Sequence, residues 1–244
     1  MKKNSKLFLL VVISLAVVLS CPNAFAKEAY YSNLNGVSLT KDEYDFFTKM
    51  YYDGYQTTIT QDEYQRFIDN NVLYGTFETK EIVDPGTPIT RGSEHATGSK
   101  RLKIAKACSS NCLVSVLLTW LGDPTIRSYD VMGAFLNNVS LKSTVTTKVS
   151  SNSSTTFPSA VKQSQEGFGN SFKIPNGSGL TISQDFYTSQ GGRVYASYQH
   201  AKSNTTLAVS QSYTISRTGF GGVFAFSGTA AGVYDGMNGV DLAV

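Results

Sequence analysis

The stretch Leu-Thr-Ile-Ser-Gln-Asp-Phe at 180–186 decides the fold class of this chain. Its apolar residues Leu180, Ile182 and Phe186 fall on one side of an extended backbone, and the polar residues Thr181, Ser183 and Asp185 fall on the other. Alternation with a period of two is typical of a β-strand that buries one face. The same pattern returns in other segments: 139–149, 194–198 and 206–215.

Further strands follow from four more apolar segments in the same part of the chain, at 113–120, 126–136, 168–174 and 222–227. Short strands separated by Gly, Pro and Asn turns, without helical segments between them, are typical of an antiparallel sandwich or jelly roll. We assign residues 107–244 to this domain. With the helices described next, the predicted class is α+β, mainly β.

The N-terminal part contains an internal repeat, because the nonapeptide at 39–47 returns in similar form at 59–67. Each copy carries Thr-x-x-Glu, the capping box in which a Thr hydroxyl and a Glu carboxylate satisfy each other's backbone amides. Apolar residues follow at helical spacing. The sequence therefore predicts a short helical hairpin within 27–83, followed by a polar, Pro- and Gly-rich linker over 84–106.

A calcium loop is excluded by the spacing of this repeat. If Glu43 or Glu63 took the last loop position, Val37 or Thr57 would stand where the sharp turn requires glycine. The chain also lacks a nucleophile elbow, a His-Glu-x-x-His helix and a phosphate-binding loop. We therefore expect no metal, no cofactor and no enzymatic activity.

Residues 1–26 have the pattern of a secretory signal peptide. Three lysines precede an uncharged apolar run, and Ala24-Phe25-Ala26 supplies small residues at the cleavage site. The predicted location is therefore extracellular. Cys21, preceded by Val-Leu-Ser, offers the alternative of a lipobox and a lipid-anchored protein.

Cleavage of the signal peptide changes the charge balance, because the rest of the chain has 18 basic and 18 acidic residues. The net charge is −6 over 27–99 and +6 over 100–244. Overall neutrality predicts no nucleic-acid partner. The asymmetry is consistent with two faces of one protein that attract each other, or with an acidic pro-region that masks a basic domain.

Cys108 and Cys112 are the cysteines that remain after the signal peptide. In an exported protein a Cys-x-x-x-Cys pair is most simply a disulfide closing a short loop. A metal site would require additional ligands, and the chain has two histidines, His95 and His200. We expect the disulfide to act as a local staple.

Two sets of side chains are candidate functional residues. Tyr51, Tyr52 and Tyr55 stand at the tip of the predicted helical hairpin, where aromatic side chains suit contact with a sugar or a protein. The second set consists of polar clusters in the β-domain: Arg127, Tyr129, Asp130, Tyr198, His200 and Asp235. These polar clusters are consistent with a structural role or with a catalytic role, since buried polar groups need hydrogen-bond partners in both.

The segment 140–160 is rich in hydroxyl groups, with 12 Ser or Thr among 21 residues. A membrane-inserting hairpin and an exposed strand with a flexible loop are both consistent with it. Membrane contact is thus possible. The leading hypothesis is a secreted, non-enzymatic module that binds an unidentified extracellular ligand: a cell surface, a glycan or a protein. The alternative is a membrane-active toxin or bacteriocin-like protein with an acidic pro-region.

The Thr-x-Asp-Glu-Tyr helical repeat and Arg127-Ser128-Tyr129-Asp130-Val131 resemble segments of uncharacterised secreted proteins of Gram-positive bacteria. Ser197-Tyr198-Gln199-His200 is locally similar to small secreted β-sandwich bacteriocins. Neither resemblance implies an activity.

Overall fold

The computed structural model describes residues 31–50, 59–68, 77–85, 98–217, 222–235 and 237–244. In these residues two antiparallel sheets pack face to face. The class predicted from the sequence, a mainly β sandwich preceded by helices, is confirmed. Tyr51, Tyr52 and Tyr55, like the signal segment 1–26, lie outside the described residues.

The elements follow one another along the chain as β1 (Tyr31–Ser32), β2 (Ser38–Leu39), α1 (Lys41–Met50), α2 (Gln61–Ile68), β3 (Glu78–Asp84), β4 (Lys100–Cys108), β5 (Cys112–Trp120), β6 (Tyr129–Asn137), β7 (Thr146–Ser150), β8 (Thr155–Thr156), β9 (Val161–Ser164), β10 (Gly167–Lys173), β11 (Thr181–Thr188), β12 (Arg193–Gln199), α3 (Leu207–Ser210), β13 (Tyr213–Ile215), β14 (Phe224–Phe226) and β15 (Val240–Ala243).

Sheet I has the strand order β15-β12-β6-β10-β9, and sheet II has the order β3-β4-β5-β11-β7-β8. The core between them is built from alternating residues of both sheets, among them Val114, Val116, Met132, Phe168 and Phe186. The alternation that predicted β11 is borne out here, since Ile182 and Phe186 are buried in this core.

The helical repeat covers the outer face of sheet II. Phe46, Phe47 and Ile59 pack there against a patch that includes Ala105 and Ala107, whose small side chains allow close approach. The capping boxes are confirmed: in α1 the Thr40 amide donates to Glu43 Oε2 at 2.8 Å, and in α2 the Thr60 amide donates to Glu63 Oε2 at 2.9 Å.

Sheet I is covered on its outer face by the segment that follows β12. Tyr213, Phe224 and Tyr234 pack there against Val131 and Tyr195. Part of this cover was predicted as a single strand over 206–215, and that prediction is wrong for its first half. Thr206 Oγ1 accepts a hydrogen bond from the Val209 amide and starts the one-turn helix α3, so that only Tyr213–Ile215 is extended.

The strand predicted over 139–149 is also shorter, since β7 begins at Thr146. Asn138 adopts a positive φ of 58°, which turns the chain after β6. The Ser143 hydroxyl then accepts from the Tyr187 amide, and Leu141 forms an isolated bridge with Thr188. Backbone bonds between Lys142 and Tyr187 and between Ser189 and Ser140, together with these hydroxyl bonds, hold the segment beside β11 without forming a regular strand.

Strand β4 starts at Lys100 and therefore occupies part of the range 84–106 that the sequence predicts as a linker. Its basic side chains face acidic ones on β3: Lys106 Nζ lies 3.0 Å from Glu78 and Lys100 Nζ lies 3.2 Å from Asp84. The acidic and basic halves of the chain thus attract each other inside one sheet, with Lys148 and Glu63 adding a further pair at 2.6 Å.

Cys108 and Cys112 lie opposite each other at the turn between β4 and β5, and their sulfur atoms are 2.02 Å apart. The predicted short-loop disulfide is therefore present, and it staples one hairpin of sheet II.

The two long sides of the sandwich differ. On one side β15 lies against β3 and β4, and Asp241 of β15 bonds Lys80 of β3 at 2.7 Å. On the opposite side, β8 and β9 form the edges of the two sheets, and four residues join them. All residues of β8 and β9 are exposed.

Candidate functional site

The sandwich holds a cluster of buried polar and charged side chains at one end of the core, here called the ionic cluster. Its members are Asp84, Lys100, Trp120, Asp130, Tyr198, His200 and Asp235. Four of them belong to the polar clusters that the sequence marked as candidates: Asp130, Tyr198, His200 and Asp235.

Strand register explains why these residues meet. In sheet II, Asp84, Lys100 and Trp120 lie side by side, because Asp84 pairs with Lys100 across β3 and β4 and Lys100 pairs with Trp120 across β4 and β5. In sheet I, Tyr198 lies on β12 and His200 directly follows this strand, so their spacing of two places both side chains on one face of the sheet, where Asp130 of the neighbouring β6 bonds them. Asp235 belongs to the segment before β15 and closes the cluster.

Asp130 is the acceptor at the centre of the sheet I half. Its Oδ2 atom accepts hydrogen bonds from the Tyr198 hydroxyl and, at 2.8 Å, from His200 Nδ1, while its Oδ1 atom accepts from the Ala201 amide at 2.9 Å. Trp120 Nε1 extends the chain by donating to the Tyr198 hydroxyl at 3.2 Å. The Asp130 carboxyl group thus collects three hydrogen bonds inside the core.

Tyr198 shows the electrostatic consequence. Burial raises the pKa of the Tyr198 hydroxyl well above its ordinary value, and the adjacent Asp130 carboxylate raises it further because a second negative charge would be repelled. Tyr198 is therefore a neutral donor over the physiological pH range. Its proton, like that of His200 Nδ1, is held by Asp130.

Lys100 and Asp235 form the other half of the ionic cluster. Lys100 Nζ lies 2.5 Å from Asp235 Oδ2 and 5.3 Å from the centroid of the Trp120 ring. The Lys100 side chain is 0% exposed and that of Asp235 is 8% exposed. Asp235 Oδ1 accepts from the His200 amide at 3.0 Å, which joins the two halves of the cluster. Burial raises the pKa of Asp235, and Lys100 partly opposes this shift.

Arg127 and Tyr129 do not join the cluster through their side chains. Arg127 donates to the carbonyl groups of Pro175 and Gly177 and so fixes the loop after β10. Tyr129 contributes its backbone carbonyl, which accepts from the Tyr234 hydroxyl at 3.1 Å. Both residues therefore support the fold, and their side chains do not form a common site with His200.

Asp84, Lys100 and Trp120 are the members that sequence reasoning missed. Lys100 stands in a run of basic residues that reads as a solvated edge, and Trp120 stands at the end of an apolar strand. The signal that would have placed Lys100 is the complementary charge of 78–84, whose Glu and Asp residues match the Lys residues of 100–106 in antiparallel order.

The ionic cluster is closed to solvent at its centre, since Asp130 and Lys100 are 0% exposed and His200 is 1% exposed. An external substrate therefore has no path to these atoms in this conformation. Among the described residues no group of three or more metal-ligating side chains is found, and no helix is long and apolar enough to cross a membrane. The arrangement locks the two sheets together.

Comparison with known proteins places the chain near none of them in sequence: no family model and no curated protein matches. Among solved structures, it is similar to the collagen-binding domain of the Erysipelothrix rhusiopathiae surface protein RspB, with a TM-score of 0.30 and 5% identity. The alignment covers 57% of this chain and 62% of that chain, less than two thirds of its length. A likeness at this level carries no conclusion about function.

Proposed function

We propose that the chain is a secreted, non-enzymatic binding module that takes up an extended segment of an extracellular protein at the edge strand β9. The observation that carries the proposal is the open side of the sandwich, where among the described residues β9 pairs with β10 alone. The signal peptide predicted over 1–26 and the disulfide between Cys108 and Cys112 support an extracellular setting.

The backbone of β9 has hydrogen-bonding groups directed away from the sheet. The Ser171 amide donates to the Ala160 carbonyl, and bonded pairs alternate along an antiparallel ladder, so Lys162 and Ser164 face β10. The amide and carbonyl of Gln163 therefore point outward. An edge of this kind is a template for adding one more strand, which is a recurring mode of peptide recognition.

The side chains at this edge favour a protein ligand over a glycan. Phe157 is 54% exposed and Val161 is 39% exposed, and both lie in or beside the link from β8 to β9. Lys162, a residue type that commonly guards edges against pairing, instead donates to the Tyr213 carbonyl and lies over the Tyr213 ring. An incoming strand thus meets apolar side chains and unobstructed backbone groups.

A pair of variants at one position tests the proposal. Gln163→Pro removes the outward amide and leaves the bonds to β10 intact, whereas Gln163→Ala removes only the side chain. Linear peptides selected from a displayed library on the wild-type protein are expected to bind Gln163→Ala and to lose binding at least tenfold on Gln163→Pro. Phe157→Ala is expected to weaken them as well.

Three outcomes would overturn the proposal: no peptide is selected, the selected peptides bind Gln163→Pro as well as the wild type, or binding is found only on purified cell-wall glycan. A loss of binding in the variant with Tyr51, Tyr52 and Tyr55 changed to Ala, with Gln163→Pro unaffected, would move the contact to the helical hairpin.

A further inference from the structure

We propose that the Lys100 side chain condenses with the Asp235 side chain to form an intramolecular amide that joins strand β4 of sheet II covalently to the segment before β15. The site is the buried contact between the first residue of β4 and the segment before β15. It is independent of the edge proposed to bind peptides.

The first argument is that these two groups are in contact where water is excluded. Close Lys–Asp contacts are common in this protein: Lys80 and Asp241 approach to 2.7 Å, but their side chains are 54% and 25% exposed. Lys100 and Asp235 approach to 2.5 Å with 0% and 8% exposure. Burial distinguishes the second pair, because removing water from a pair of ions costs free energy and so favours an uncharged product such as an amide.

The second argument is that the neutral forms are the reactive ones. An amine attacks through its lone pair, and a carboxylic acid is attacked at carbon far more readily than a carboxylate. Transfer of one proton from the Lys100 ammonium to the Asp235 carboxylate produces both reactive partners at once. The raised pKa of Asp235, which is caused by its burial, works in the same direction.

The third argument is that the neighbouring groups suit the reaction. The His200 amide donates to Asp235 Oδ1 at 3.0 Å and so holds the oxygen on which negative charge develops when nitrogen attacks the carboxyl carbon. Asp84 Oδ2 lies 3.2 Å from Lys100 Nζ, within reach of the proton that nitrogen must lose. Asp84 is 26% exposed, so the product water has a way out on its side.

The step balances without an oxidant or a cofactor. Lys100 Nζ forms a bond to Cγ of protonated Asp235, Asp84 takes one proton from the nitrogen and returns it to the departing hydroxyl, and the Cγ–Oδ2 bond breaks. One water molecule is released and one secondary amide remains. Fixed geometry offsets the unfavourable equilibrium of condensation in water, since well-oriented groups reach effective molarities of roughly 10⁵–10⁸ M.

The mass of the purified mature protein, reduced and denatured, tests the inference. The wild-type protein is expected to be lighter than its sequence by one water molecule. Lys100→Arg and Asp235→Ala are expected to have their full sequence masses, and Asp84→Ala is expected to accumulate the unlinked form. Lys80→Arg, which alters the exposed pair, is the matched control and should still lack one water.

Peptide mapping identifies the bond itself. Trypsin should fail to cut after Lys100, and a branched peptide containing both Lys100 and Asp235 should appear. Asp235 precedes Gly236, and this dipeptide can also lose water by cyclising onto its own backbone, so a water loss that persists in Lys100→Arg would overturn the inference. A wild-type protein with its full sequence mass would overturn it as well, whether or not the variants fold.

Discussion

Asp130 shows how much one buried acceptor can carry. Three donors meet its carboxylate, from Tyr198, His200 and the Ala201 amide, and none of these groups has access to solvent. In water each donor would find another partner, but in the core of the sandwich it has no such alternative. Asp130 therefore stabilises the fold mostly because, without it, its donors would be buried with no hydrogen-bond acceptor.

Replacing Asp130 by Ala should accordingly be among the most damaging single changes in the β-domain. We expect the free energy of unfolding to fall by about 3–5 kcal/mol, because three buried donors lose their acceptor and each unsatisfied group costs about 1–3 kcal/mol. Trp120 is the chain's one tryptophan and lies in the same cluster, so its fluorescence in a urea titration reports the loss. Asp123→Ala, at a carboxylate 57% exposed, should change stability by less than about 1 kcal/mol. Equal losses in both variants would contradict the assignment.

Prediction at the level of single residues was limited because the sequence does not show which side chains contact each other in the folded protein. The sequence identified Asp130, Tyr198, His200 and Asp235 in three separate clusters, because each is a polar residue at a strand end or in a turn. Their union depends on the register of β6 and β12 and on the path before β15, which are long-range features. Lys100 could not be included, since a basic residue at a strand end is ordinarily solvated.

At the scale of elements, the helices α1 and α2 show that a sequence pattern predicts structure correctly where interactions between nearby residues determine it. Both capping boxes form as the repeat predicts, and the Tyr64 hydroxyl in α2 donates to Glu43 at the start of α1, which ties one copy to the other. The alternation at 180–186 predicts β11 for the same reason. The alternation at 206–215 fails because Thr206 supplies a helix cap that competes with extension.

The attachment of α2 to sheet II should depend on pH through Glu63. Burial opposes ionisation of this carboxyl, but hydrogen bonds from Lys148 and from the Thr60 amide outweigh it and hold the pKa of Glu63 below its ordinary 4.5. A lowered pKa means stability that is present above pH 4.5 and is lost as the pH falls through the value in the folded protein.

Glu63→Gln should therefore be less stable than the wild type at pH 7, and the difference should shrink steadily below pH 4.5. Denaturant unfolding of the two proteins at a series of pH values measures this. Asp45→Asn alters the exposed i,i+4 pair with Lys41 and should show little such dependence. A difference between wild type and Glu63→Gln that stays constant down to low pH would refute the role given to Lys148.

At the scale of the whole molecule, the described residues close one side of the sandwich and leave the other open. Asp241 bonds both Lys80 and Arg193 on the closed side, and the ionic cluster ties the sheets at one end. The acidic residues of β3 are part of this closure, so the N-terminal half contributes a strand to sheet II. This arrangement favours the interpretation that the acidic and basic halves are two parts of one folded protein. Removal of the acidic half as a pro-region would take β3 away and expose the edge of β4.

The hydroxyl-rich segment 140–160 is likewise bound to the rest of the sandwich. Val149 of β7 is fully buried in the core, and Ser151 and Ser153 donate to the Asn176 carbonyl of a neighbouring loop at 2.8 and 2.7 Å. A membrane-inserting hairpin would have to withdraw Val149 from the core and break these bonds. The open side formed by β8 and β9 requires no such rearrangement to meet a partner, which is why a binding module is the function we favour.

The proposed amide between Lys100 and Asp235 has a consequence for the stability of the whole sandwich. It would link residues 135 positions apart, from sheet II to the segment entering β15 of sheet I. A cross-link acts mainly by restricting the unfolded chain, and a closed loop of this length corresponds to about 5 kcal/mol in the chain-entropy model. Lys80→Arg, which keeps a positive charge beside Asp241 in the exposed pair, should change the free energy of unfolding by less than about 1 kcal/mol.

Guanidinium unfolding of the wild type and of Lys100→Arg separates the cross-link from the loss of an ion pair. The dependence of the unfolding free energy on denaturant scales with the surface exposed on unfolding, and a cross-linked unfolded chain exposes less. The wild type should therefore show both a higher midpoint and a shallower slope than Lys100→Arg. If Lys100→Arg had a lower midpoint than the wild type but the same slope, Lys100 and Asp235 would be held by charge alone. The loss of an ion pair does not change how much surface the unfolded chain exposes.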